Sequence, residues 1–245
     1  MKSALPSPNA AQLDFALTYP YDRPDHSYCL VGSEITAIPT DLSLSGRIPV
    51  IACGSNAAPT QLVRKYNNIN TNPIYVTKAK LDNFLCCYSA HITSYGSIPA
   101  TLAYIQGTST DCHITWLTEQ QLEHMHKTES VGKNYRYSRL DNLNLFCEEK
   151  GQIATAYCYV SLLGNLQDKG APIAVAGIEA TPPPPLQLDQ TSIQEKVLAE
   201  IAPELSVTEF VFSNISNSQL RRDRVDLIKR NAKAFSYPYE QFILT

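Results

Sequence analysis

The chain has 245 residues, 44% of them hydrophobic and 18% charged, with a formal net charge of -3. That suffices for one large folded unit or two small ones, and the slightly acidic balance gives no global attraction to nucleic acid or to an anionic membrane. No stretch approaches the roughly 18 uninterrupted apolar residues of a membrane span, no basic-then-apolar start marks a signal peptide, and the seven Cys include no C-x-x-C pair, so the expectation is a cytoplasmic protein with reduced, mostly buried thiols.

Residues 1–46 are irregular and rich in proline (Pro6, Pro8, Pro20, Pro24, Pro39), yet they carry Phe15, Leu17, Tyr19, Tyr21 and Tyr28. That is too much apolar surface for a free tail. The reading is an arm packed on the main body, with a short strand at Ser27–Val31; the functional alternative is a lid. Next comes the most informative stretch, Pro49 to Tyr66. Val50 to Cys53 is a short apolar run that fits a buried strand. Gly54-Ser55-Asn56 is turn chemistry, and Pro59 fits the first turn of a helix, where a missing N–H costs nothing. Strand, turn and helix together leave unpaired backbone N–H groups pointing the same way as the helix dipole, which is a site for a carboxylate or phosphate. An ordinary strand-to-helix turn would have the same spacing.

Residues 74–88 read as one or two strands, with Cys86 and Cys87 facing opposite sides as packed thiols. A small-residue loop follows from residue 89, then strands at 100–105 and 111–117; His91 and His113 lack a second ligand at useful spacing and read as structural. Thr118 with Gln121 forms a capping box that starts a helix over 118–129. Leu122, Met125 and His126 mark one face of it, and Glu129 falls at the end of the same face. An inward carboxylate is costly unless paired or given a task; a helix ending at Thr128 would instead leave Glu129 on a solvated turn. Tyr135–Leu140 and Ile153–Val160 are two strands of an antiparallel arrangement, with a turn at Glu148–Gly151 between Leu145 and Ile153. Pro182–Pro185 is a semi-rigid spacer. Beyond it two helices are expected. One is capped at Thr191 or Ser192, with Ile193, Val197 and Ile201 apolar. The other follows Ser218, with Leu220, Leu227, Ile228 and Phe235 apolar and a basic, solvated face of Arg221, Arg222, Arg224, Lys229, Arg230 and Lys233. Those stripes must be covered by the core or by a second copy, so a homodimer through the C-terminal helices is one expected arrangement. There is no Walker A loop, no H-E-x-x-H, no zinc pattern and no G-x-S-x-G. Cys53-Gly-Ser has no following Cys-Trp and no assignable partner His, which sets aside a papain-like thiol. No metal or cofactor is expected.

In order and spacing, Ala52-Cys-Gly-Ser-Asn56, Ala100-Thr-Leu102, His113-Ile-Thr-Trp-Leu-Thr118, Lys127-Thr-Glu-Ser130, Tyr135 and Ala156-Tyr157 resemble the γ-glutamylcyclotransferase-like family, and Gly177-Ile-Glu179 matches a later loop. The resemblance covers residues 48–180. It implies an α+β fold, a small, mostly antiparallel β-barrel with packed helices. The chain then divides as an N-terminal packing arm (1–46), a cyclotransferase-like core (47–180) and a C-terminal helical extension (181–245) of one unit. It implies substrate binding by Cys53, Gly54, Ser55, Asn56, Tyr135 and Tyr157, with Glu129 as the catalytic acid/base. The implied reaction cyclises a γ-glutamyl amide or amine to 5-oxoproline and releases the amine, acyl-transfer chemistry of the lyase or transferase type. The family loop usually reads Tyr-Gly-Ser-Asn; here Cys53 stands at the Tyr position and alters the pocket wall.

That chemistry suits the residues. A γ-glutamyl compound carries its own nucleophile, the α-amine, and its own electrophile, the γ-amide, and well-oriented intramolecular pairs reach effective molarities of about 10⁵–10⁸ M. No nucleophilic Ser or Cys is needed, only one group that takes a proton and returns it. A free carboxyl with a pKa of about 4.3 is a poor base, and burial raises a carboxyl. The rival from another class is a non-catalytic module on the same fold that binds a small carboxylate or a protein, which Cys53 and the two long extensions favour.

Overall fold

The computed structural model describes residues 9–67 and 72–243. Helix α1 (Ala10–Leu17) comes first, then a ribbon of β1 (Tyr28–Val31) and β2 (Glu34–Thr36). β3 (Ile48–Ala52) leads into α2 (Pro59–Tyr66). Two long strands, β4 (Ile74–Tyr88) and β5 (Ala100–Leu117), precede α3 (Glu119–Thr128). Then come β6 (Tyr135–Leu140), β7 (Leu145–Cys147), β8 (Gly151–Ile153) and β9 (Ala156–Ser161). The short strands β10 (Gln167–Asp168), β11 (Ala171–Pro172), β12 (Ala174–Val175), β13 (Ala180–Thr181) and β14 (Gln187–Leu188) lead to α4 (Gln190–Ile201), α5 (Val207–Ser216), α6 (Ser218–Ile228) and β15 (Glu240–Ile243).

Among the described residues the main sheet runs in the order β14-β12-β4-β5-β3-β9-β6-β15. Most pairs are antiparallel; β3 with β9 and β12 with β14 are parallel. The fold is therefore α+β with a large, mostly antiparallel sheet, but the sheet does not close into the expected barrel. β15, from the C-terminal segment, takes the free side of β6, and β12 and β14 lie at the other end of the path. An outer strand pairs the backbone groups of β6 but becomes the new edge, whereas barrel closure would leave none.

The expected break between strands 100–105 and 111–117 is a bulge inside one continuous strand. Asp82 pairs with Ser109 and Phe84 with Tyr104, so residues 105–108 oppose Asn83 alone. Asn83 has φ 66 and Gly107 φ 81, and the Gly107 N–H donates to Asn83 Oδ1 at 2.9 Å. Such a bulge increases the local twist without ending the ladder.

Alternate residues of the strands serve two cores. Ile51, Leu102, Ile114 and Val160 point into one, which the C-terminal helices complete with Ile193, Val197, Phe210 and Ile228, and to which Phe235 adds its ring. Val50, Val76, Leu117, Tyr137 and Tyr159 point into the other, under Leu62 of α2 and Met125 of α3. All seven cysteines are buried and free.

Three helices, not two, follow the proline spacer. Asp189, not Thr191 or Ser192, caps α4 by accepting from the Ser192 N–H at 2.7 Å. α5 has its own capping box, Ser206 with Glu209, and was missed. α6 is not simply a solvated basic face. Arg224 is buried, bonded to Ser213 Oγ at 2.8 Å and Asn214 Oδ1 at 2.9 Å, with its guanidinium over the Phe210 ring. Leu227, expected in the apolar stripe, is exposed. The arm expected over residues 1–46 also contains a helix, α1, capped by Asn9, within a stretch that shows little periodicity.

The C-terminal helices thus supply core, and their loss should be severe. Phe210 is fully buried, so Phe210→Ala is expected to cost about 3–5 kcal/mol of unfolding free energy in denaturant titration. Cutting the chain after Ala180 should cause aggregation or a marked fall in melting temperature. A truncated protein that melts cooperatively at the parent temperature would make the segment a detachable module.

Candidate functional site

The site forms where β3 ends between the two cores. Beyond Ala52 the backbone makes a 3-10 turn over Ser55–Ala57, with the Ala57 N–H bonded to the Gly54 carbonyl at 3.1 Å and the Ala58 N–H to the Ser55 carbonyl at 2.9 Å. α2 starts only at Pro59, so Gly54-Ser55-Asn56 precedes the helix by a short turn and is not its first turn. Gly54 is dictated by close approach: a Cβ there would lie 2.4 Å from the Tyr19 hydroxyl and 2.9 Å from Ala100 Cβ.

Asn56 ties the turn to its surroundings. Its carbonyl accepts from Thr115 Oγ1 at 3.2 Å, its amide nitrogen donates to Glu129 Oε1 at 3.0 Å, and its amide oxygen accepts from Lys65 Nζ at 2.7 Å. Lys65 also forms an ion pair with Glu129, whose side chain is 13% exposed against 7% for Lys65. α3 begins with the expected Thr118–Gln121 capping box, and Glu129 is its C-cap residue, held by its N–H to the Met125 carbonyl at 3.0 Å. The carboxylate therefore points inward although the helix proper ends at Thr128. His124 Nε2 to the Lys65 carbonyl, 2.7 Å, and Tyr66 Oη to the Gln121 carbonyl, 2.8 Å, fix α2 against α3 and so fix the pair.

The trio sits in the wall of a cavity of about 910 Å³ that Cys53, Gly54, Ser55, Asn56, Glu129 and Tyr135 all line. The Tyr135 hydroxyl donates to the Ala100 carbonyl at 3.0 Å, and the His91 ring stands edge-on to it. Tyr157, expected beside them, is elsewhere: it stacks on Tyr137 in the second core, and Tyr159, two residues along the same face of β9, lines the cavity instead. Burial first and the Glu129 charge second raise the phenols of Tyr66 and Tyr159, so these hydroxyls stay protonated around the carboxylate.

Beside Tyr159, four wall residues stand out that the sequence does not mark as site residues. Lys65 is one. Tyr19 is the second: the hydroxyl of this arm residue accepts from the Ala100 N–H at 2.7 Å and lies against Gly54. A phenol from the N-terminal arm thus stands beside the turn whose expected tyrosine is Cys53. Arg221 and Arg222 of α6 are the others, and they line the same cavity. The arm is held there by rings: Phe15 stacks on Tyr21 at 4.8 Å, Tyr95 lies 5.2 Å from Phe15, and Arg64 covers Phe15 at 4.5 Å.

Cys53 is a wall residue in contact with other thiols. The Cys158 thiol donates to the Tyr159 carbonyl at 3.6 Å; the neighbouring thiols of Cys158, then Cys86, lower Cys53 from its ordinary value, while Cys53 and then burial raise Cys158, and burial raises Cys86. Among the described residues no cluster of three or more His, Cys, Asp or Glu is arranged to hold a metal ion. Among the described residues no helix is long and apolar enough to cross a membrane.

No family model matches the sequence, and no curated protein does. Similar solved structures include a protein described as a γ-glutamyl cyclotransferase, at 14% identity and TM-score 0.37 over 78% of this chain and 91% of that one. Another is the human uncharacterized protein loc79017, at 14% identity and TM-score 0.38 over 79% and 92%. A third is At5g39720.1 of Arabidopsis thaliana, at 14% and 0.38 over 49% and 74%.

Two buried histidines set a pH limit on the molecule. Burial lowers His91 to about 3, and burial with the nearby Arg23 charge lowers His113 to about 4. Both fall below the ordinary 6.5, so the unfolded chain takes up the proton first. Stability should be full above pH 6.5 and fall as pH drops toward those values. The loss between pH 6.5 and 5 is expected to be about 2 kcal/mol for His91 alone. Urea titrations at pH 7 and pH 5 measure the combined loss, and His91→Gln should remove about half of it, His113 supplying the rest.

Proposed function

We propose that the chain is a γ-glutamylcyclotransferase-like enzyme that converts a γ-glutamyl amide or amine to 5-oxoproline and a free amine. The observation that carries the reading is the convergence of the Gly54-Ser55-Asn56 turn and the Glu129 carboxylate on one cavity, joined by the 3.0 Å bond from Asn56 to Glu129. A turn with free N–H groups and an inward carboxylate are the two groups the chemistry needs.

In this reading the turn's N–H groups hold the substrate α-carboxylate, which brings the α-ammonium to Glu129. Glu129 takes a proton from the ammonium. The freed amine attacks the γ-carbonyl carbon and closes a five-membered ring, the attacking nitrogen gives up a second proton, and the C–N bond to the leaving amine breaks as that nitrogen is protonated. Two protons pass from the α-nitrogen to the leaving nitrogen, Glu129 carrying them in turn, so no water is consumed and charge is conserved. Lys65 holds Glu129 in the free protein, and the substrate ammonium competes for the same oxygen. The protonated phenols of Tyr135 and Tyr159 are neutral donors that shape the cavity without competing for the proton.

A second reading, a non-catalytic carboxylate-binding module, is favoured by that same ion pair, because Lys65 already neutralises Glu129, and by Cys53 in place of the family tyrosine. Release of 5-oxoproline from a panel of γ-glutamyl amines and dipeptides separates the two.

Glu129→Gln should abolish 5-oxoproline release, a loss of at least about 10²-fold, while the protein unfolds cooperatively as before; near-parental turnover would remove Glu129 from the mechanism. Cys53→Ser should retain substantial turnover, because the ring closure needs no protein nucleophile. Complete loss, together with a covalent adduct on Cys53 of the parent seen by mass spectrometry, would establish a thiol mechanism instead.

A further inference from the structure

A second cavity, of about 580 Å³, shares no lining residue with the first. Its volume falls in the range of small-molecule sites, about 300–1,000 Å³. One wall is the run Pro182–Pro185, which the sequence marks only as a spacer. The run is pinned at both ends. Before it, Thr181 of β13 pairs with Ser109 of β5; after it, Gln187 of β14 pairs with Ala174 of β12. Proline has no backbone N–H, so four successive residues line the cavity without leaving a donor unpaired. The spacer is a fixed apolar wall.

Two aromatic rings, Tyr104 of β5 and Phe235, also line the cavity. Neighbouring rings hold both. Phe84 meets Tyr104 edge-on at 5.4 Å and stacks on Phe235 at 6.4 Å, and Tyr237 stands 5.0 Å from Phe84 and from Tyr104. Packing therefore sets the ring positions in advance, which lowers the ordering cost of binding.

Among the described residues Lys233 is the one charged group in this lining. Its backbone is locked: its carbonyl accepts from the Asn165 N–H at 2.9 Å and from Asn165 Nδ2 at 2.8 Å, and its N–H donates to the Asn165 carbonyl at 3.0 Å. A Cβ on Gly164 would lie 2.6 Å from the same Lys233 carbonyl. The Lys233 ammonium, by contrast, enters none of the ion pairs among the described residues. Asn165, the buried polar residue of the lining, already uses its amide on Lys233 and Gln167. The site thus offers ring faces and one free cation on a fixed stem.

We infer that this cavity is a binding site for a small aromatic carboxylate. The ligand ring packs among Tyr104, Phe235 and the pyrrolidines, and its carboxylate meets Lys233. Ring–ring contacts in offset or edge-on geometry add to what area burial alone supplies. A neutral ligand leaves the ammonium without a partner, and a cationic one meets like charge. The inference does not depend on the cyclisation reading.

The full-length protein tests this with three probes of similar size: 3-phenylpropionate, 3-phenylpropionamide and 3-cyclohexylpropionate. Binding is followed by ligand-detected NMR titration for the parent, for Lys233→Gln and for Ala234→Trp, whose indole fills the cavity. Both positions are exposed, and a glutamine keeps the backbone bonds to Asn165, so the variants should melt as the parent does. The parent is expected to prefer 3-phenylpropionate to its amide by about fivefold or more, and to the cyclohexyl acid by about threefold or more. Added salt should shrink the first preference. Lys233→Gln should reduce it to less than about twofold and leave the second unchanged, and Ala234→Trp should weaken 3-phenylpropionate by about tenfold or more. Equal affinity for acid and amide, or a charge preference that survives in Lys233→Gln, overturns the carboxylate assignment. Equal affinity for the two acids overturns the aromatic one. Binding that survives Ala234→Trp, or no binding of any probe, overturns the site itself.

Discussion

The pairing of β4 with β5 is the constraint on which the rest of the molecule depends. The ladder runs from Tyr75 opposite Trp116 to Tyr88 opposite Ala100, interrupted by one bulge. It also sets the site. At one end of β5, Ala100 presents its N–H to Tyr19 and its carbonyl to Tyr135; fifteen residues later Thr115 donates to the Asn56 carbonyl. The cavity wall is thus drawn from three segments that touch the same strand. A one-residue slip in β5 would turn Thr115 to the opposite face and carry the Ala100 N–H and carbonyl away from Tyr19 and Tyr135, so the register that buries Leu102 and Ile114 also aims the polar groups.

Within that frame the Lys65–Glu129 pair is the most demanding local feature. Removing two charges from water is costly, and their attraction compensates only where the geometry is good and the remaining donors and acceptors are used. Here Asn56 bonds to both partners, and the Met125 sulfur lies 3.4 Å from Lys65 Nζ. The Asn56 amide can satisfy both groups only with its oxygen toward Lys65 and its nitrogen toward Glu129, so the trio has one consistent arrangement. This charged pair stands at a cavity wall and not in the middle of a core.

How far the chain could be read in advance varied with the range of the contact. Some local signals held: the Thr118–Gln121 capping box, Pro59 at the start of α2, and the strand at Ile74–Tyr88 are where short-range rules put them, whereas the cap of α4 stands at Asp189, not at Thr191 or Ser192, and that of α5 was missed. The apolar face of α3 pointed to Glu129, although a helix ending at Thr128 left a solvated turn equally open. Lys65 was not noticed, although Leu62, Lys65 and Tyr66 fall at i, i+3 and i+4, and Leu62 and Tyr66 are buried; the same stripe rule, applied to α2, finds it. Tyr19 and Arg221 carry no comparable signal. Tyr19 reaches Ala100 across 81 positions, and nothing local distinguishes Arg221 from its basic neighbours. Tyr157 was misplaced because strand alternation fixes the face a residue shares but not which residue on that face reaches the cavity. The barrel failed for a related reason: closure depends on which strands cover the sheet's outer edges, and β15 lies far along the chain from β6.

Because Tyr19 and Arg221 lie near opposite ends of the chain and line one cavity, the cavity is a thermodynamic clasp. It exists only when both end segments are docked. Any molecule that binds it therefore stabilises their docked state in proportion to how far its concentration exceeds its dissociation constant. Amide exchange in α1 and α6 would slow together on binding, although the two helices belong to segments brought together only by the fold. Occupancy of a small pocket would then be reported by the two ends of the polypeptide, coupled through the ligand between them.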